Sequence, residues 1–135
     1  MPFERRRTVY LGDDDTSGLI YFASYFRYMA EGDQDYLAEL GYPVVEHIGE
    51  GTTCPAVHAE CDFVSPARAG DAIVQRIRIV PGDRTSFRCD HEFTNEEGTV
   101  VGRGHMVRVW VDMATMKAVP LPDWVLAAGR ADALD

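Results

Sequence analysis

An α+β domain, with one long helix laid on an antiparallel sheet, is the architecture this sequence predicts. Three observations lead there. Between Ser24 and Leu40, the residues Tyr25, Tyr28, Met29, Tyr36, Leu37 and Leu40 recur at three- and four-residue spacing, which puts them on one face of a helix. From residue 55 onward the period of hydrophobicity falls to two, as in strands with one face buried. Short turns join those segments, which suits antiparallel neighbours; parallel strands need long crossovers.

The elements follow in order. Residues 4–11 (ERRRTVYL) carry β-branched and aromatic side chains and form a candidate first strand. The acidic stretch GDDDTSG (12–18) interrupts regular structure with two glycines and turn-favouring side chains. Ser24 is a candidate helix cap, and Gly41 followed by Pro43 a stop. Gly32 inside the helix costs about 1 kcal/mol relative to Ala, which suggests close approach by another backbone. In PAVHAECDF (55–63), Val57, Ala59, Cys61 and Phe63 alternate with His58, Glu60 and Asp62, the pattern of a half-buried strand. The loop SPARAGD leads into DAIVQRIRIV, where Ile73, Ile77 and Ile79 alternate with Arg76 and Arg78. Pro81-Gly82 turns the chain into RTSFRCDHEF, and Asn95-Glu96-Glu97-Gly98 turns it again into TVVGRGHMVRVWVD, a long final strand. The tail PLPDWVLAA reads as a short helix. One helix of about five turns covers one face of such a sheet, so open edges favour dimerisation.

Composition narrows the function. At 135 residues the chain is expected to be a single domain, 1–135, and 46% hydrophobic with 26% charged residues is ordinary for a soluble globular protein. Apolar runs are too short to span a bilayer. Behind the basic residues of MPFERRRTVY come Asp13, Asp14 and Asp15, where a signal peptide needs an apolar run; the expectation is a cytoplasmic protein. A net charge of -9 argues against a nucleic-acid partner. Cys54, Cys61 and Cys89 are odd in number and widely spaced, suggesting neither disulfides nor a zinc site. No metal ligands and no redox cofactor are expected.

GDDDTSGLIYFASY is the stretch that carries chemistry. It sets a carboxylate in a glycine-containing loop just before a helix N-terminus, whose unpaired amides and dipole can polarise a carbonyl. A carboxylate a few residues upstream can attack that carbonyl or activate water. The alternative is three aspartates in a solvated turn.

The segment Asp15-Thr16-Ser17-Gly18-Leu19-Ile20-Tyr21-Phe22-Ala23-Ser24-Tyr25 resembles the 4-hydroxybenzoyl-CoA thioesterase family, whose mark is an Asp in D-x-x-G, two apolar residues, an aromatic pair and a Tyr-containing helix. The resemblance continues through Gly41-Tyr42-Pro43, the run from Asp62 to Asp71, Val107-Arg108-Val109-Trp110 and the run from Lys117 to Pro122. It implies a hotdog fold, a five-stranded antiparallel sheet wrapped around one long helix. It also implies homodimers, often paired into homotetramers, with sites at subunit interfaces. By that resemblance Asp15 is the nucleophile or general base, the Phe22 backbone amide binds the thioester carbonyl, and Gly18 lets the loop turn close to substrate. Asp13 falls on a second acidic position of the family's closest Asp-type members. Arg84, Ser86 and Lys117 align loosely with positions that grip the nucleotide end of coenzyme A, with strand-end surface cations as the alternative.

Other residues carry less. Tyr21 and Tyr25 are candidates for an acyl pocket or for plain core. Glu31 lies in the helix without the local pattern of the other hotdog acid, so a solvated face is expected. His58 is expected on the surface. His91 and Glu92 are successive strand residues and point to opposite faces, so they cannot act together. No His lies between Asp15 and Tyr36, which argues against a hotdog hydratase. The expected function is hydrolysis of an acyl-CoA thioester, aromatic by resemblance, with coenzyme A as part of the substrate and no membrane partner. The rivals are a thioesterase for acyl carrier protein or short aliphatic acyl-CoA, and a hotdog ligand-binding protein without turnover.

Overall fold

The computed structural model describes residues 2–134. Five antiparallel strands form the main sheet in the order β1-β4-β5-β6-β3, with β1 at Phe3–Thr8, β3 at Ala56–Phe63, β4 at Ala72–Pro81, β5 at Ser86–Thr94 and β6 at Val100–Val109. Helix α1 (Phe22–Glu39) lies on its inner face. A two-residue strand β2 (Thr52–Thr53) pairs with β7 (Val111–Asp112), and two further helices are α2 (Val44–Gly49) and α3 (Asp123–Ala133). No helix among the described residues is long and apolar enough to cross a membrane.

Helix α1 contains no Val, Ile or Thr, so no β-branched side chain restricts it. It starts two residues before Ser24, because Ser24 caps nothing: its hydroxyl donates to the Asp13 carbonyl at 2.9 Å. The helix closes with Gly41 N–H donating to Ala38 O and Tyr42 N–H to Leu37 O, the paired bonds of a Schellman end. Tyr25, Tyr28, Met29, Tyr36 and Leu37 are buried, as their spacing predicts. They meet Ile73, Ile77 and Ile79 of β4 and Phe87, Cys89 and Phe93 of β5. A Cβ on Gly32 would stand 2.5 Å from Gln75 Nε2 and 2.7 Å from Ile77 Cδ1. The close approach read from Gly32 is therefore made by β4 side chains, not by another backbone.

A polar network crosses this core. Asp33 accepts from His91 Nε2 at 2.8 Å and Arg108 Nε at 2.7 Å, and Gln75 Nε2 lies 2.9 Å from His91 Nδ1. Gln75 also donates to Tyr28 O, so its amide nitrogen is the donor, and His91 carries its proton on Nε2 toward Asp33. The buried carboxylate is thereby matched by a guanidinium and two hydrogen bonds, as a charge in such a place requires.

Several elements differ from expectation. Strand β1 ends at Thr8 because Val9 passes beyond β4 and bonds Asp71 and Gly70 in the loop that precedes it. The final strand is broken at Trp110, whose amide donates to Thr85 O and whose carbonyl accepts from Val119. Strand β3, at one edge of the sheet, is exposed on nearly its whole length instead of half-buried. Helix α2 has no counterpart in the hydrophobic pattern, and α3 runs 11 residues, longer than the tail motif suggests.

Candidate active site

The acidic loop is a small hairpin. Tyr21 N–H donates to Asp13 O at 2.9 Å and Asp15 N–H to Leu19 O at 2.9 Å, while Gly18 N–H closes the tip onto Asp15 O at 3.0 Å. Gly18 takes φ +80°, a left-handed conformation that the tip requires and that glycine adopts at little cost. Ile20 N–H donates to Ala67 O at 2.8 Å, fastening the hairpin to the loop that leaves β3.

Asp13 is the anchor under this hairpin. Its Oδ2 accepts from Tyr10 N–H at 3.0 Å and Tyr28 OH at 2.9 Å, and its Oδ1 accepts from Arg27. Arg7 lies 3.7 Å away and stacks over the Tyr28 ring, 3.6 Å from its centroid. Burial alone would raise the Asp13 pKa; the bonds from Tyr10, Tyr28 and Arg27 outweigh it and hold the carboxyl below its ordinary value. The structure therefore places Asp13 beneath the loop, away from the cleft wall.

Asp15 sits at the hairpin tip, exposed. Its Oδ1 accepts from the Ser17 hydroxyl and from Ser17 N–H at 2.8 Å. Those two bonds, hydroxyl first, hold its carboxyl below the usual carboxylate value, so it is ionised at neutral pH. Asp15, Ser17, Phe22, Tyr25, Phe63 and Ser65 are among the residues that line a cleft of about 340 Å³, the size of a small-ligand site. Helix α1 begins at Phe22 with no side-chain cap and no acidic residue in its first turn. Of its first amides, Ser24 N–H donates to Tyr21 O at 2.8 Å, while those of Phe22 and Ala23 carry no acceptor among the described residues and stay available to a ligand. The Phe63 ring packs 5.4 Å from Tyr25 and 6.5 Å from Phe22, centroid to centroid, giving the cleft an aromatic wall.

Among the remaining predicted residues, Tyr25 lines the cleft while Tyr21, 44% exposed, packs at a tilt against Phe22 outside it. Burial, with Cys61 adding a smaller push, raises the Tyr25 hydroxyl to about 12, so it stays protonated at neutral pH. Burial likewise raises the Cys61 thiol to about 11, which removes it as a thiolate nucleophile. Glu31 pairs with Arg5, Arg7 and Arg27 at the surface. Arg84, Ser86 and Lys117 lie at the other end of the sheet. Ser86 pairs with Val109 at one end of β6, whereas the cleft meets β6 near Gly102 and Val101. Seven residues of strand separate Gly102 from Val109, roughly 23 Å at 3.3 Å per residue. Ser86 is also bound into its turn, its hydroxyl accepting from Asp83 N–H and its amide donating to Asp83 Oδ1. Ser17 and Phe63 are site residues that the sequence did not single out; for Ser17 a signal was present, since an Asp followed two residues later by Ser is the signature of such a side-chain-closed turn.

The thioesterase-like superfamily model matches residues 9–129. The chain belongs to the thioesterase-like superfamily. As a member of it the protein is an enzyme of the thioester-hydrolase class, and its sheet and helix are the hotdog fold. A 1,4-dihydroxy-2-naphthoyl-CoA hydrolase of Synechocystis sp. is 30% identical over 122 residues, covering 89% of this chain and 88% of that protein. The crystal structure of a 1,4-dihydroxy-2-naphthoyl-CoA thioesterase from Synechocystis superposes with a TM-score of 0.89 at 28% identity over 96% of both chains. A gentisyl-coenzyme A thioesterase structure superposes with a TM-score of 0.84 at 31% identity, over 94% of this chain and 99% of that one. In this thioesterase, Asp15 lines the cleft from the tip of the hairpin.

Proposed function

We propose that this thioesterase hydrolyses an aromatic acyl-coenzyme A, with Asp15 as the working carboxylate and the Phe22 amide as the carbonyl's hydrogen-bond donor. The observation that carries the reading is one cleft holding an ionised Asp15, the uncapped start of α1 and an aromatic wall. The thioester oxygen, aimed at the Phe22 N–H, gains negative charge as the carbonyl carbon is attacked, and the helix terminus stabilises that charge. Asp15 acts through Oδ2, since Ser17 occupies Oδ1. By direct attack it forms a mixed anhydride and expels the coenzyme A thiolate, and water then cleaves the anhydride. As general base it takes a proton from the water that attacks the thioester carbon. Both routes yield the free acid and coenzyme A and need no further cofactor. Phe22, Tyr25 and Phe63 offer ring faces and edges to a flat acyl group, in line with the aromatic substrates named for the relatives.

The minimal unit in this reading is a homodimer joined through β3. That edge strand has unpaired backbone groups and exposed Val57 and Phe63, which a second copy would cover. Antiparallel pairing of two β3 strands brings the Arg84–Lys117 end of the partner beside the cleft. The 23 Å gap within one chain then becomes an approach between chains, and Arg84 and Lys117 can meet the phosphates of coenzyme A.

A panel of thioesters tests the substrate class. Hydroxybenzoyl-, gentisyl- and 1,4-dihydroxy-2-naphthoyl-CoA should exceed acetyl-, hexanoyl- and palmitoyl-CoA in kcat/KM by at least ~10-fold, the low end of what a shaped pocket discriminates. Preference for aliphatic chains or acyl carrier protein thioesters would overturn the aromatic assignment. Hydrolysis of none would overturn the reading.

A further inference from the structure

On the outer face of the sheet, opposite α1, three metal-ligating side chains converge. His58 and Glu60 are two residues apart on β3 and share that face. His105 of β6 stands directly opposite Glu60 in the antiparallel register. His58 Nε2 lies 3.4 Å from Glu60 Oε2, and His105 Nε2 lies 3.4 Å from Glu60 Oε1, one imidazole for each carboxylate oxygen. The three ligand atoms all fall within 4.8 Å of one another.

That spacing is informative. Ligand atoms bound at ~2.0–2.2 Å around a tetrahedral zinc ion stand roughly 3.3–3.6 Å apart. Each imidazole here stands 3.4 Å from one oxygen of Glu60, and with one atom from each residue the set spans no more than 4.8 Å, so a small side-chain rotation closes it on a metal. Three other carboxylates of this face engage arginine: Glu4 with Arg76, Glu92 with Arg76 and Arg103, and Asp90 with Arg88. Glu60 faces two imidazoles instead. Two imidazole nitrogens and one carboxylate suit Zn²⁺ and its transition-metal neighbours, whereas Mg²⁺ and Ca²⁺ call for more oxygen ligands. Nor does the cluster belong to the catalytic cleft. Phe63, which lines the cleft, points to the α1 side, and Glu60, three residues earlier, points to the other.

The geometry points to a zinc-class divalent metal site formed by His58, Glu60 and His105, with water completing the coordination. A metal held there ties the edge strand β3 to β6. Because the assembled ligand set exists only in the folded chain, binding stabilises the fold.

The test is isothermal titration of the full chain, freed of any histidine tag and of chelator, with ZnCl₂ and separately with MgCl₂. The expected result is one Zn²⁺ per chain and no saturable Mg²⁺ binding, with a melting temperature that rises in ZnCl₂. In His58→Ala/His105→Ala, zinc affinity should fall by more than the ~10–100-fold that even a lost supporting contact around a metal costs. The rise in melting temperature should vanish with it. Glu60→Gln, which keeps the shape of the cluster and removes its charge, should also bind more weakly. All three positions are exposed or half-exposed, and far-ultraviolet circular dichroism checks that the variants fold. Absence of saturable zinc binding would mean that the cluster is only a histidine–carboxylate ion pair. Unchanged affinity and stoichiometry in the double variant or in Glu60→Gln would place the metal elsewhere. Either result overturns the proposal.

Discussion

Ser17 donates both its hydroxyl and its amide to a single oxygen, Oδ1, of Asp15. The carboxylate is thereby held in one rotation and loaded unequally, with Oδ2 left for chemistry.

The same pair sets a pH dependence. In the proposed mechanism the active form of Asp15 is the anion, present above its pKa and lost as pH falls through it. The Ser17 bonds lower that pKa, so Ser17→Ala should raise it toward the ordinary ~3.9. The acid limb of the kcat/KM profile should then move to higher pH, as brief assays between about pH 3 and 6 would show. An unmoved limb would mean that Ser17 does not act through Asp15.

Asp13 is expected to separate stability from catalysis. Asp13→Asn removes the charge that Arg27 and Arg7 face beneath the hairpin. Loss of charge-assisted bonds at a buried site should cost about 2 kcal/mol in thermal or denaturant unfolding. Activity per folded molecule should stay near that of the parent. For the same reason the fold should weaken in acid. The folded-state pKa is depressed, so this stabilisation is complete above the unfolded value near 3.9 and is lost as pH falls through the folded one. A collapse of activity in a stable Asp13→Asn variant would instead give Asp13 a role in the reaction.

Gly32→Ala weighs two opposed effects. Alanine favours a helix by about 1 kcal/mol over glycine. Here the added methyl would strike Gln75 and Ile77, both fully buried. Gln75 is tied to Tyr28, His91 and Arg5 and cannot swing aside without breaking those bonds. Overpacking of this kind costs ~1–3 kcal/mol, so net destabilisation is expected in urea unfolding. A stabilised variant would show that β4 yields.

Much of this was legible because packing followed local pattern. The helical spacing of Tyr25, Tyr28 and Leu37, and the alternation of Ile73, Ile77 and Ile79, mark faces that are buried in the structure. The DDDTSG stretch likewise signalled a carboxylate before a helix start. The failures have physical causes. Val57 and Phe63 alternate as inward-facing residues do, yet β3 is an edge strand and a single chain leaves it uncovered. Helix α2 is six residues with two adjacent valines; its His47 is held by stacking on Tyr42 and Trp124, contacts that no local pattern reveals. Asp13 stood apart from Asp14 only by resemblance, because Arg7 and Tyr28, which hold its carboxylate, come from β1 and α1.

Arg84 and Lys117 test the proposed two-chain site. Replacing both with Ala should raise KM for an aromatic acyl-CoA several-fold and leave kcat nearly unchanged, the mark of lost uniform binding. Sedimentation should show a dimer at least. A fully active monomer, or a double variant with unchanged affinity for a coenzyme A analogue, would remove these residues from the site.

Single-turnover hydrolysis by Asp15→Asn, compared with Asp14→Asn in the same loop, tests the central claim most directly. The substitution keeps size and removes the anion, while the Phe22 amide and the aromatic wall remain to bind substrate. The rate of the chemical step should fall by at least ~10²-fold, the low end for a positioned acid or base, with affinity for substrate largely kept. Asp14→Asn should stay close to the parent. A folded Asp15→Asn variant at full rate, or equal losses in the two variants, would contradict the assignment of the reaction to this one carboxylate.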